Sequence, residues 1–101
     1  MARKLVRDNI PHMIEQDGRR VQMHVCSDQE FRERLRDKLQ EEVNEFLQDN
    51  AVEELADILE VVYALANLSN VSPQQLEAIR CSKAQERGGF SKRIVIDNLN
   101  K

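Results

Sequence analysis

The sequence has no tryptophan, a single tyrosine and three phenylalanines. So few aromatics leave no platform interleaved with basic residues on which nucleobases could stack, and no basic recognition helix stands out beside them. Positive charge is not in excess either. Fifteen Lys and Arg face eighteen Asp and Glu, for a formal charge of −3, which gives no general attraction for nucleic acid or an anionic membrane. Long apolar runs are missing: the most apolar region, residues 51–68, is broken by Glu53, Glu54, Asp57 and Glu60, so no membrane span is expected. The opening Met-Ala-Arg-Lys lacks the apolar centre of a secretory leader, and a cytoplasmic protein is expected. Cys26 and Cys81 fall in neither a CxxC nor a His-spaced zinc pattern, which predicts two reduced thiols. His12 and His24 have no Cys/His ligand pattern nearby and are expected to be structural or exposed.

What remains suits helices. Only three glycines interrupt a chain built on Leu, Val and Ala, and a hydrophobic fraction of 41% argues against general disorder. At 101 residues, one domain over 1–101 is expected. The segment RKLVRDNIPHMIEQ begins basic and β-capable, then turns helical after Pro11. Asp17-Gly18 marks a turn, and RRVQMHVCS reads as a short extended segment with rough alternation. Ser27 and Glu30 have capping-box spacing ahead of a helix over about 28–48, with Phe31, Leu35, Leu39, Val43, Phe46 and Leu47 as its apolar stripe. Asn50 with Glu53 predicts the start of a second helix reaching about 69, and the tight break between the two implies an antiparallel hairpin. That second helix carries Leu55, Ala56, Ile58, Leu59, Val61, Val62, Tyr63, Leu65 and Leu68, an apolar surface wider than one neighbouring helix covers, which points to burial by a second subunit. Ser72 caps a third helix with Pro73 at its first position. The helix ends near Arg87, where Gly88 is free to take the left-handed conformation. The final RIVIDNL is expected to be a strand, with QMHVC as a pairing partner.

The distinctive feature is acidic. Glu42 and Glu45 are three apart on the first long helix, and Glu54 and Asp57 are three apart on the second. Each pair therefore shares a helix face, and Glu41 lies beside Glu45 at i, i+4. Across an antiparallel hairpin the two pairs can face each other. Carboxylates converging in a low-dielectric groove repel unless they take up protons or bind a hard divalent cation. Spacing alone leaves three readings open: solvated helix-forming glutamates paired with Lys38, a metal site, and an acidic surface for a partner.

The stretches EEVNE and ELAD together match the EExxE…ExxD signature of the all-α nucleoside triphosphate pyrophosphohydrolases, the superfamily of MazG and phosphoribosyl-ATP pyrophosphohydrolase. With KLVRDNIP near the start and KAQERGGF late in the chain, the sequence resembles a small single-domain branch of it over residues 4–11, 38–57 and 83–90. The resemblance implies an all-α, MazG-like helical hairpin or bundle completed by oligomerisation, as a homodimer or homotetramer, with short extended segments near both ends. It implies a nucleotide substrate and water attack that releases pyrophosphate from a nucleoside monophosphate. It also implies Mg²⁺, with Mn²⁺ as a substitute, held principally by Glu42, Glu45, Glu54 and Asp57. Glu41 would support a second ion or orient the attacking water, so Glu41 and Glu45 are the catalytic candidates.

Phosphate contacts would fall to Lys4 and Arg7, to Lys38, and to Lys83 and Arg87 beside Gly88-Gly89. Each pair has a plainer reading, as a docked N-terminal segment and as a basic helix C-terminus respectively. No GxxxxGK sequence is present, so the glycine pair is not a Walker loop. Tyr63 is expected in the core. Phe90 can cover a bound base or lie buried under the C-terminal strand, and Ser27 and Ser72 are expected to be caps. Two rival functions stay open: hydrolysis of phosphoribosyl-ATP or a related nucleotide metabolite, and a non-enzymatic helical interaction module.

Overall fold

The computed structural model describes residues 3–100, and the secondary structure among them is entirely helical. Helix α1 spans Ile10–Gln16, α2 Asp28–Asp49, α3 Val52–Leu68 and α4 Pro73–Arg87. The two long helices begin and end close to the limits their apolar periodicity predicts.

Local chemistry explains most boundaries. The Ser27 hydroxyl accepts the Glu30 N–H at 3.2 Å, satisfying one of the otherwise orphaned amides at the start of α2. The reciprocal half of that box is absent, because the Glu30 carboxylate turns to His24 and Arg34 instead. At α4 both halves form: Ser72 accepts the Gln75 N–H at 3.1 Å, and the Gln75 side chain accepts the Ser72 N–H at 2.8 Å. Pro73 follows in the first turn.

Asn50 corrects an expectation. It caps the end of α2 rather than opening α3, with φ 54° and ψ 25° in the left-handed region and its N–H bonded to the Phe46 carbonyl. Asn tolerates that conformation better than most side chains. Ala51 precedes α3 with no side-chain cap. Gly88 also departs from its expected geometry: φ is positive at 82°, but ψ is 179°, an essentially glycine-only region outside the left-handed helical well.

The expected strand pairing is absent. Residues 19–27 and 94–100 belong to no helix or ladder. Met23, Val25, Ile94, Val95 and Ile96 are all exposed, and an isolated two-stranded ribbon with no apolar face to pack is marginal in water. Phe90 is 98% exposed, so it is not buried under a strand.

Helices α2 and α3 form the antiparallel hairpin, and α4 leans only on α3, while α1 packs on no other helix. The core between them is thin. Leu35 and Val61 are the buried apolar residues among those described, and Tyr63 is half-buried. Val52, Leu55 and Leu59 leave an exposed apolar stripe along α3. An open groove of about 470 Å³ between Leu39 and Val43 on one side and Leu65 on the other also lacks a cover. The radius of gyration is 18.0 Å, against roughly 13 Å for a compact domain of this length. No helix among the described residues is long and apolar enough to cross a membrane.

Candidate acidic site on the helical hairpin

The hairpin brings the two acidic pairs of the sequence to one place. Glu42 from α2 and Glu54 and Asp57 from α3 each offer a carboxylate oxygen within 4.8 Å of the others. Their positions follow from the fold: 54 and 57 lie one turn apart at the start of α3, and the short α2–α3 connection folds that turn back on the later part of α2.

Glu42 is the centre of the arrangement. It is the buried charged residue among those described, only 7% exposed, and its Oε2 has no hydrogen-bond partner. Its Oε1 lies 3.3 Å from Lys38 Nζ. Burial pushes its carboxyl above the ordinary glutamate range, and the nearby charges of Glu45 and Asp57 push the same way, while the contact with Lys38 opposes them. A buried carboxylate oxygen without a donor is costly in a native protein. A cation at that oxygen removes the cost.

The basic residues ring this centre. Lys4 donates to Glu41 at 3.1 Å, and Lys38 stands 3.7 Å from the same carboxylate. The bond from Lys4, seconded by the charge of Lys38, holds the Glu41 carboxyl below the usual range against a smaller opposing effect of burial. Arg7 reaches Asp57 at 3.4 Å and Glu60 at 3.9 Å. The segment before α1 therefore lies across the acidic face, pinned further by Arg34, which donates to the Arg3 carbonyl at 3.0 Å. A crevice of about 30 Å³ between that segment and α2 is bordered by Lys4, Arg34, Lys38 and Glu41.

Of the ligands the family resemblance implies, Glu42, Glu54 and Asp57 converge. Glu45 stands beside them, near enough to raise the Glu42 carboxyl, without joining the trio. Glu41 is turned to Lys4 and Lys38. Lys83 and Arg87 are exposed in the last two turns of α4, where the ion pair on that helix joins Glu77 and Arg80 instead. Arg34 was not singled out by sequence, although its place one turn before Lys38 puts it on the same face of α2.

Hard carboxylate oxygens suit Mg²⁺, which takes few protein ligands and keeps positions for water and phosphate. Glu42, Glu54 and Asp57 fit that requirement through their shared approach and the orphaned Glu42 oxygen. Comparison of the chain with protein-family models, with curated proteins and with solved structures gives no match.

Proposed function

We propose that the chain is a nucleoside triphosphate pyrophosphohydrolase of the all-α, MazG-like kind, cleaving the α–β phosphate linkage to give a nucleoside monophosphate and pyrophosphate. The observation that carries this reading is the convergence of Glu42, Glu54 and Asp57, on a Glu42 side chain that keeps a buried carboxylate oxygen with no donor. The EExxE…ExxD spacing, the KLVRDNIP segment and KAQERGGF support it from the sequence side.

In this reading Glu42, Glu54 and Asp57 hold Mg²⁺, or Mn²⁺ in its place, with Glu45 as a further ligand. The ion, when bound, neutralises phosphate oxygens and lowers the pKa of bound water. Glu41 orients the attacking water or supports a second ion, with Glu45 beside it as the other catalytic candidate. Lys4 and Lys38 hold the Glu41 carboxyl below its usual range, so it gains basicity only when Lys4 leaves it for substrate. Lys4 and Arg7 are well exposed, so each can exchange its carboxylate for a phosphate oxygen as substrate arrives. Lys38 stays beside Glu42 and offsets repulsion among the acids. Lys83 and Arg87 would join the phosphate contacts only from a second copy or after α4 moves. A homodimer or homotetramer covers the α3 stripe and completes the pocket for base and sugar.

The test resolves products from a panel of nucleoside triphosphates and phosphoribosyl-ATP, with Mg²⁺ and with EDTA. The reading predicts monophosphate and pyrophosphate in equal amounts, only with the metal, and a rate at least a hundredfold lower (on the order of an electrostatic catalytic group) in Asp57→Asn. Diphosphate plus orthophosphate, or equal rates in EDTA, would contradict it. Silence on every substrate while a basic protein binds the acidic face would favour an interaction module.

A further inference from the structure

The most specific cluster outside the acidic site lies at the other end of α2. One donor atom each from His24, Cys26 and Glu30 lies within 4.8 Å of the others. His24 Nε2 is 3.0 Å from both oxygens of the Glu30 carboxylate. A ring nitrogen and a carboxylate approach that closely only with a proton or a cation between them.

We infer that His24, Cys26 and Glu30 form a second metal site, selective for a borderline-soft divalent cation of the Zn²⁺ type and built from residues independent of the acidic cluster. The donors decide the class. A thiolate, an imidazole and one carboxylate favour Zn²⁺ over Mg²⁺ or Ca²⁺, which prefer oxygen alone. Zinc bonds of about 2.0–2.3 Å set the donors of a tetrahedral ion roughly 3.3–3.8 Å apart; the donors here lie within 4.8 Å of one another, with His24 and Glu30 already 3.0 Å apart, so binding needs them to rearrange by about an ångström. The chain can supply that movement. Cys26 ends the irregular stretch 19–27, which no ladder restrains, while Ser27 fixes the entry into α2 through its bond to the Glu30 N–H.

Arg34 completes the arrangement from behind. It donates to Glu30 Oε2 at 3.2 Å, which orients the carboxylate and leaves Oε1 to the ion, as an outer-shell partner does. Three protein ligands leave one position for water or an external ligand. The site ties residues 24–26 to the first turn of α2 and so orders the stretch between α1 and α2. Cys81 is exposed on α4, away from any such cluster, and serves as an internal control.

The test titrates the full chain, kept reduced, with Co²⁺ as a spectroscopic probe and Zn²⁺ as competitor. A thiolate-to-cobalt charge-transfer band that saturates at one Co²⁺ per chain is expected, displaced by Zn²⁺; Co²⁺ at the all-oxygen acidic site adds no such band. The band disappears in Cys26→Ser, and His24→Ala weakens binding by about tenfold or more, with helix content unchanged by circular dichroism. Cys81→Ser and Asp57→Asn leave the band intact, which separates this site from the acidic one. A wild-type titration without the band, a band that survives Cys26→Ser, one lost in Cys81→Ser, or unchanged affinity in His24→Ala would each overturn the assignment.

Discussion

At the scale of single residues, Glu42 decides how the protein responds to pH. Burial raises its folded-state pKa above the ordinary value of 4.5, so between those two values the native chain holds a proton that the unfolded chain has released. Stability of the metal-free protein from this group therefore falls as pH rises from the ordinary value through the raised one. Glu42→Gln removes the buried charge and should raise the metal-free melting temperature near neutral pH, with the difference closing below the ordinary glutamate range. Thermal melts across pH check this, and a variant less stable than wild type at neutral pH would count against the account. Spacing made this residue legible: 42, 45, 54 and 57 pair off by helical turns in the bare sequence. Spacing could not tell that Glu45 stands outside the trio, because it fixes a helix face and leaves the rotamer open. The His24–Cys26–Glu30 cluster escaped it for a different reason. Its members straddle the junction of an irregular segment and a helix, where no single period relates them.

At the scale of elements, the helices were readable because their signals are local. Apolar periodicity set α2 and α3, and Ser27, Ser72 and Pro73 marked helix starts through bonds they make within three residues. Asn50 misled because the same residue types that cap a helix start also tolerate the left-handed turn at a helix end. The two can be separated by mutation. Asn50→Gly keeps or slightly raises stability, whereas Asn50→Ala costs about 1 kcal/mol or somewhat more, since alanine must take φ 54° with a Cβ. Ser72→Ala should cost about 1 kcal/mol through α4 alone, seen as faster amide exchange in Pro73–Arg87 before any change in α2. The unpaired RIVIDNL shows the limit of such signals: β-branched alternation marks a segment able to pair and says nothing of whether a partner face exists.

At the scale of the whole molecule, the thin core and the exposed stripe on α3 are what the proposed homo-oligomer would cover. Leu35 and Val61 alone bury too little apolar surface to hold an extended 61 Å molecule together. The same expectation comes from the sequence, where the apolar face from Leu55 to Leu68 is wider than one neighbouring helix can cover. Sedimentation equilibrium should give a dimer or tetramer of the 11.8 kDa chain. Leu59→Glu, which puts a charge in the stripe, should shift it toward monomer and lower its stability. A wild-type chain that stays monomeric and folded at high concentration would remove the need for a partner.

The central claim is that Glu42, Glu54 and Asp57 act together on a hard divalent cation. Mn²⁺ binding followed by electron paramagnetic resonance, with an α,β-methylene nucleoside triphosphate present to retain the ion, tests it most directly. The account predicts tight binding in wild type and in Glu60→Gln, and affinity at least tenfold weaker (roughly the loss of one metal ligand) in Glu42→Gln, Glu54→Gln and Asp57→Asn. Equal binding in all five proteins, or none in wild type, would contradict it.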